Sequence, residues 1–261
     1  MHFSQLLNYF PLWVTYLVIV IIIVLSVWSG LGFARWRKKR FGEEDDTPVN
    51  TVVGATLGLL AFILAFTFGL TSSRFDARKT YLMEEVNSIE TSWLRAGLVG
   101  EPHQSILKKS LVDYVKVRID LAENPGKVIE AIQRSQQIQG QIWAQVTELA
   151  NEEAGNDWIN ALLISSINDM FDNQSRRITV GLIDHVPGLM WLALFTLVII
   201  SMMGVGYLLG KMQSNNGLLI LGLSLAFSAI LIIIIDLDSS RGTIKVNNQA
   251  MTDLYERLTS N

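Results

Sequence analysis

VVGATLGLLAFILAFTFGLTSSRFDARKTYLMEEVNSIETSWLRA, residues 52–96, decides the fold. Residues 52–71 carry no charge, and a helix needs roughly 20 apolar residues to cross the hydrocarbon core of a bilayer. From Ser73 to Ala96 the chain is polar, free of Pro and Gly, and rich in Glu, Arg, Met and Leu. These are good helix formers, so the spanning helix is expected to run on beyond the membrane. Gly97, Gly100 and Pro102 then end it.

Three more segments meet the same length requirement: residues 12–34, with an unbroken aliphatic block from Val18 to Leu25, and residues 189–209 and 218–235. None holds an internal charge. Half of the 261 residues are hydrophobic and 17% are charged, against about 25% in soluble domains. The deficit is concentrated in these four runs. The first is read as a span rather than a secretory signal, because no basic region stands before it and its apolar core is longer than a typical signal's.

The fold class is therefore an all-α integral membrane protein with four transmembrane helices and a helical-bundle extramembrane insert between the second and third spans. Residues 1–71 hold the first two spans and a basic loop, 72–187 the extramembrane domain, 188–236 the third and fourth spans, and 237–261 a C-terminal tail. Within the insert, helical spacing of apolar residues predicts helices over 73–96, 103–121, 128–151 and 158–185, in an antiparallel bundle. Asn124, Pro125 and Gly126 form the turn between the second and third.

Arg35, Arg37, Lys38, Lys39 and Arg40 follow the first span. The positive-inside rule places that loop in the cytoplasm, with the N-terminus and the large insert outside. The expected location is a bacterial inner membrane, multi-pass.

On a helical wheel the second span shows two stripes. Gly54, Gly58, Ala61, Ala65 and Gly69 form a small-xxx-small ladder, which suits close helix packing in lipid. Nearly opposite lie Thr56, Leu60, Ile63, Thr67 and Thr71, continued by Arg74 and Arg78. A membrane Thr commonly bonds the carbonyl one turn back. Three on one face, ending in two Arg, also suit a pore wall with an apolar constriction and a basic mouth. Such a wall needs several copies of the helix around an axis, hence a homo-oligomer. Arg at a span end otherwise snorkels to lipid. Asp236 and Asp238, at the end of the fourth span, offer ion pairing with Arg74, Arg78 or Arg241.

No nucleotide-binding loop, nucleophile elbow or metal-spaced His/Glu set is present. Cysteine is absent, there are three His, and the net charge is −3. We therefore expect no catalytic residues, no metal, no cofactor and no nucleic-acid partner, and the chain is not read as an enzyme.

Three stretches carry a resemblance: residues 54–98, with R-F-D-x-R and E-x-N-x-I-x-T-x-x-L-R; SINDMFDNQSRRITVGLIDHVP at 166–187; and D-L-D…G-x-I-x-V at 236–246, which includes Gly242. Together they resemble the bestrophin-like domain family of bacterial membrane proteins. The resemblance covers most of the chain. It implies a distant likeness to bestrophins, which form pentameric anion channels with four spans per subunit and a cytoplasmic soluble mass. That last feature opposes the orientation read from charge. No bestrophin-type calcium clasp is recognisable, and none is carried over.

The expected function is an oligomeric ion channel, permeable to small inorganic anions, with the second span lining the pore. The alternative is a non-conducting assembly or sensor protein that binds a partner through its extracytoplasmic helical domain.

Overall fold

The computed structural model describes residues 11–42, 47–152, 157–212, 217–239 and 243–260. Arg241 and Gly242, singled out above, lie outside them. The described residues are mostly helical and contain no strand. In chain order the helices are α1 (Leu12–Phe41), α2 (Thr47–Ala96), α3 (His103–Glu123), α4 (Val128–Asn151), α5 (Asp157–Ile178), α6 (Gly188–Lys211), α7 (Gly217–Asp238) and α8 (Gln249–Ser260). A short 3-10 turn, Pro125–Lys127, separates α3 from α4, and a single π-helical turn, Thr179–Ile183, follows α5. Four helical stretches are long and apolar enough to cross a membrane: Leu12–Phe41, Pro48–Ala96, Trp158–Lys211 and Gly217–Asp238.

The chain divides into two compact units. The first comprises residues 1–75 and 185–245. Its core holds Ile19, Ile23 and Val27 of α1, Leu60 and Leu64 of α2, Trp191, Leu194 and Met202 of α6, and Leu231 and Ile234 of α7. Lipid tails are as apolar as these side chains, so association in the membrane leans on close van der Waals contact. Glycine provides it where α1 meets α6. A Cβ placed on Gly30 would stand 2.0 Å from the Met203 carbonyl oxygen, and one on Gly206 would stand 2.0 Å from that of Val27. One turn on, a Cβ on Gly210 would lie 2.8 Å from the Ala34 Cβ. The two backbones touch, and no side chain fits between them.

The second unit comprises residues 76–184 and 246–261. It is built from the C-terminal part of α2 with α3, α4, α5 and α8. Leu82, Val86 and Ile89 of α2 pack with Leu107, Leu111 and Tyr114 of α3, Ile138, Ile142 and Val146 of α4, and Leu163, Ile167 and Met170 of α5. The final residues, read from sequence as a tail, form α8, whose Met251, Leu254 and Leu258 are buried in the same core. His103, at the start of α3, ties it to α4 and the residue after it: Nδ1 is 3.1 Å from Gln145 Oε1, and Nε2 is 3.0 Å from Glu152 Oε1.

The glycine contacts generate a test. Gly206→Val, and equally Gly30→Val, should abolish the monodisperse peak in detergent gel filtration, because the clash is with backbone. Gly58→Ala should leave that peak unchanged, since a Cβ there meets nothing within 4 Å. Normal behaviour of both α1–α6 variants would contradict the packing.

Candidate functional site

Two features of the first unit bear on the expected pore wall. One is the apolar part of α2, where the side chains divide cleanly. Val53, Leu60, Leu64, Thr67 and Thr71 are buried within the unit, and Thr56 and Ile63 are half-buried. The hydroxyls are engaged on their own helix: Thr56 Oγ1 donates to Val53 O (2.9 Å), Thr67 Oγ1 to Ile63 O (2.7 Å) and Thr71 Oγ1 to Thr67 O (3.1 Å). The stripe expected to face a pore is thus the stripe that α2 turns toward its own unit. The small-residue ladder faces the other way. Gly54, Gly58, Ala61, Ala65 and Gly69 are all exposed, and a Cβ on any of the three glycines would meet nothing. Beside the ladder on this outward side run Leu59, Phe62 and Phe66, which are 49%, 65% and 56% exposed. The wheel sorts α2 into two stripes, but which one turns inward depends on the other helices.

The second feature lies at the C-terminal end of α7. Asp238 Oδ1 accepts the Val186 N–H (2.9 Å) and faces Arg74 Nη1 at 3.4 Å. The His185 ring donates from Nδ1 to the Asp238 carbonyl oxygen at 3.1 Å. Asp236 accepts two backbone N–H groups, from Thr243 (2.7 Å) and Ile244 (2.8 Å). Here the carboxylates organise the chain that leaves α7. Of the two basic residues beyond the Thr stripe, Arg74 is engaged with a carboxylate rather than left free to concentrate anions.

In the second unit the chemistry centres on Glu85, which has no exposed surface. Arg177 Nη1 lies 2.6 Å from its Oε2, and Tyr114 donates to Oε1 at 2.7 Å. Arg118 meets it side-on, with Nε 3.0 Å from Oε1 and Nη2 3.5 Å from Oε2. Arg177 also donates to Asn248 Oδ1 (3.4 Å), which brings the segment before α8 into the network. Burial alone would raise the Glu85 pKa. The Arg118 and Arg177 charges and the bonds from Arg177 and Tyr114 outweigh it and leave the carboxyl below its ordinary value. Burial, and next the Glu85 charge, hold the Tyr114 hydroxyl well above the usual phenol range. The Arg118 guanidinium is held charged by Glu85 against its own desolvation.

Glu85, Tyr114, Arg118 and Arg177 lie far apart in the sequence, and no local spacing joins them. A signal was present: Leu107, Leu111, Tyr114 and Arg118 share one helical face, so an Arg falls on the buried stripe of α3. Nearby, a polar cleft of about 360 Å³ between α2 and α5 sets Glu84, Asp169 and Asp172 against Arg95 and Arg176. Among the described residues no group of His, Cys, Asp and Glu is arranged to hold a metal.

A carboxylate whose folded pKa lies below its unfolded value adds stability above the unfolded pKa and loses it as pH falls through the folded one. Removing one partner from a buried ion pair costs about 3–5 kcal/mol. Glu85→Gln should therefore lower the unfolding midpoint strongly at pH 7, and the gap from the unsubstituted protein should close below about pH 4. Glu85→Leu combined with Arg118→Met should be milder than Glu85→Leu alone, because fewer charges are left unpaired. Thermal melts across pH check both, and a pH-independent gap would contradict the assignment.

A family model described as Bestrophin-like domain matches residues 19–251. No curated protein sequence matches the chain. Among solved structures, a variant of a bacterial bestrophin homologue from Klebsiella pneumoniae is similar at TM-score 0.69 and 15% identity, covering 94% of this chain and 97% of that one. A second variant of that homologue gives 0.68 and 14%, over 94% and 98%. A protein described as a membrane protein gives 0.70 and 14%, over 94% and 98%.

Proposed function

This chain belongs to the bestrophin-like family, and from that premise we propose that it assembles as a homo-oligomeric anion channel with α2 of each copy lining the conducting path. The observation that carries the proposal is the outward side of α2. Only 22% of its apolar stretch is buried within the chain, against 44% for α1. The outward side combines a ladder of bare glycines and alanines with a row of large apolar side chains. The small edge accepts a neighbouring copy at backbone distance, which leaves Leu59, Phe62 and Phe66 to form an apolar constriction. Ring edges carry partial positive charge, and no carboxylate lies within the apolar stretch, so the constriction favours anions over cations. The Thr stripe has a packing role in this arrangement, because its hydroxyls are engaged and buried.

The flux test follows directly. Purified protein in liposomes should dissipate a chloride gradient faster than a potassium gradient. Phe62→Ala and Phe66→Ala should change the rate several-fold with the oligomer mass unchanged, whereas Thr67→Val should leave it within about two-fold. Flux altered by Thr67→Val but not by either Phe variant would return the lining to the opposite stripe. No flux from a defined oligomer would favour the assembly or sensor reading.

The protein resides on this reading in a bacterial inner membrane. The residues between the second and third spans form an extramembrane bundle, and we propose that it faces outward because Arg35, Arg37, Lys38, Lys39 and Arg40 hold the first loop in the cytoplasm. The sequence contains no cysteine, so a single introduced one is the sole thiol. Gln136→Cys, on the exposed side of α4, should react with a membrane-impermeant maleimide in spheroplasts, and Lys39→Cys only after lysis. The reverse pattern would place the bundle in the cytoplasm.

A further inference from the structure

The core of the second unit contains donors that the protein itself does not use. Arg118 presents its Nε–Nη2 edge to Glu85, which leaves Nη1 on the other side of the guanidinium. Arg118 Nε, although 3.0 Å from Glu85 Oε1, makes no hydrogen bond, and neither do Arg118 Nη1, Ser135 Oγ and Gln174 Nε2, all of them buried. Their residues are 3%, 0% and 3% exposed. A buried polar group without a partner costs about 1–3 kcal/mol, and more when charged, so such atoms on three residues of one bundle core call for a common explanation.

The helix connections bring them to one level. Arg118 and Ser135 lie within about two helical turns of the reversal between α3 and α4. Gln139, one turn beyond Ser135, donates from Nε2 to Gln174 Oε1, which leaves the Gln174 amide nitrogen as a spare donor. Gln174 is one turn before Arg177, and Arg177 and Arg118 share Glu85. The Gln139–Gln174 bond thus ties α4 to α5, and Glu85 ties α5 to α3, each through a residue within one turn of an orphaned donor.

The charges do not balance in that ring. Glu85 contributes one negative charge against the two positive charges of Arg118 and Arg177. Arg177 is 21% exposed at its side chain, so solvent relieves part of its charge, but Arg118 is 3% exposed and has no such relief. Glu84, Asp169 and Asp172 line the open cleft, and Asp120 and Glu130 line another pocket at the α3–α4 reversal, beside Lys127 and Arg134. They do not reach the orphaned atoms through any bond seen among the described residues.

We propose that the second unit binds one small monovalent anion of chloride size, coordinated by Arg118 Nη1, Ser135 Oγ and Gln174 Nε2. All three are donors, and the surplus is a single positive charge. A dianion would carry surplus negative charge into the core, and a water molecule has two lone pairs for three donors and leaves the charge imbalance. The ion is a structural ligand of the extramembrane helices, distinct from any ion that passes along α2.

The test uses the full-length protein in detergent. At matched ionic strength, sodium chloride should raise the unfolding midpoint by about 5 °C over sodium gluconate, whose anion is too large for the site. Crystals grown in sodium bromide should show an anomalous peak within hydrogen-bonding distance of Arg118 Nη1. Ser135→Ala should weaken the bromide dependence of the midpoint by roughly five-fold in concentration. Gln174→Glu supplies the negative charge from the protein, and its midpoint should become indifferent to chloride. Equal midpoints in chloride and gluconate, with no anomalous density, would overturn the proposal in favour of water. Full chloride dependence retained in both variants would overturn it in favour of an ion bound elsewhere, including along α2.

Discussion

The first unit rests on the contact between α1 and α6, where Gly30 and Gly206 let two backbones meet. Inside a bilayer the hydrophobic effect does not distinguish a helix neighbour from a lipid tail, so helix association depends on how closely atoms approach. At this crossing any side chain would displace a carbonyl. The closeness brings Ile23 and Val27 on one side, and Val198 and Met202 on the other, into one apolar core. Once that pair is fixed, α2 has a defined surface to meet. It meets it with one stripe, Val53, Leu60, Leu64, Thr67 and Thr71, and leaves the rest of its circumference free. The exposure of the small ladder and the phenylalanine row thus depends on which helices took the other contacts.

A different constraint governs the second unit, whose apolar core surrounds the buried carboxylate of Glu85. Glu85 is tolerable there because three groups converge on it from α3 and α5. Each convergence is also a geometric tie. Arg118 sets the rotation of α3 against α2, Arg177 does so for α5, and Asn248 extends the tie to the approach of α8. Buried ion pairs contribute little net stability, because desolvation offsets attraction. Their stronger effect is to penalise any packing that separates the partners. In this bundle that restricts which face each helix can present, and the apolar contacts then supply most of the stabilisation.

Much of this was legible in the sequence. Four uncharged runs of spanning length and the polar continuation of the second gave the helices nearly to their observed ends, because length and charge content are local properties. The Gly, Pro and Asn breaks at 97–102 and 124–126 marked the turns for the same reason. The two stripes of α2 were also local, and both exist. Their inward and outward assignment was not, since a wheel has no origin until neighbours supply one. The α1–α6 crossing had a trace, Gly206 and Gly210 one turn apart, which is the same small-xxx-small pattern recognised in α2. It was overshadowed by the longer ladder. The Glu85 network was hidden because its members lie far apart in sequence, and only Arg118 on an apolar face betrayed it.

The burial of the threonines also limits how an ion could be handled along α2. A hydroxyl bonded to the carbonyl one turn back is already satisfied, and in Thr67 and Thr71 the side chain has almost no exposed surface. To solvate an ion these groups would have to leave both their bonds and the packed interface, while the outward face offers glycine backbone and aromatic rings in place. A path built from that face has few polar ligands, so it would pass ions by keeping them partly hydrated and would close by losing water at the apolar constriction. In such a path the width at Phe62 and Phe66 matters more than any single ligand. That width is set by how closely neighbouring copies approach along Gly54, Gly58, Ala61, Ala65 and Gly69. Packing and conduction would then be two consequences of the same helix face, with the small edge fixing the radius at which the large edge acts.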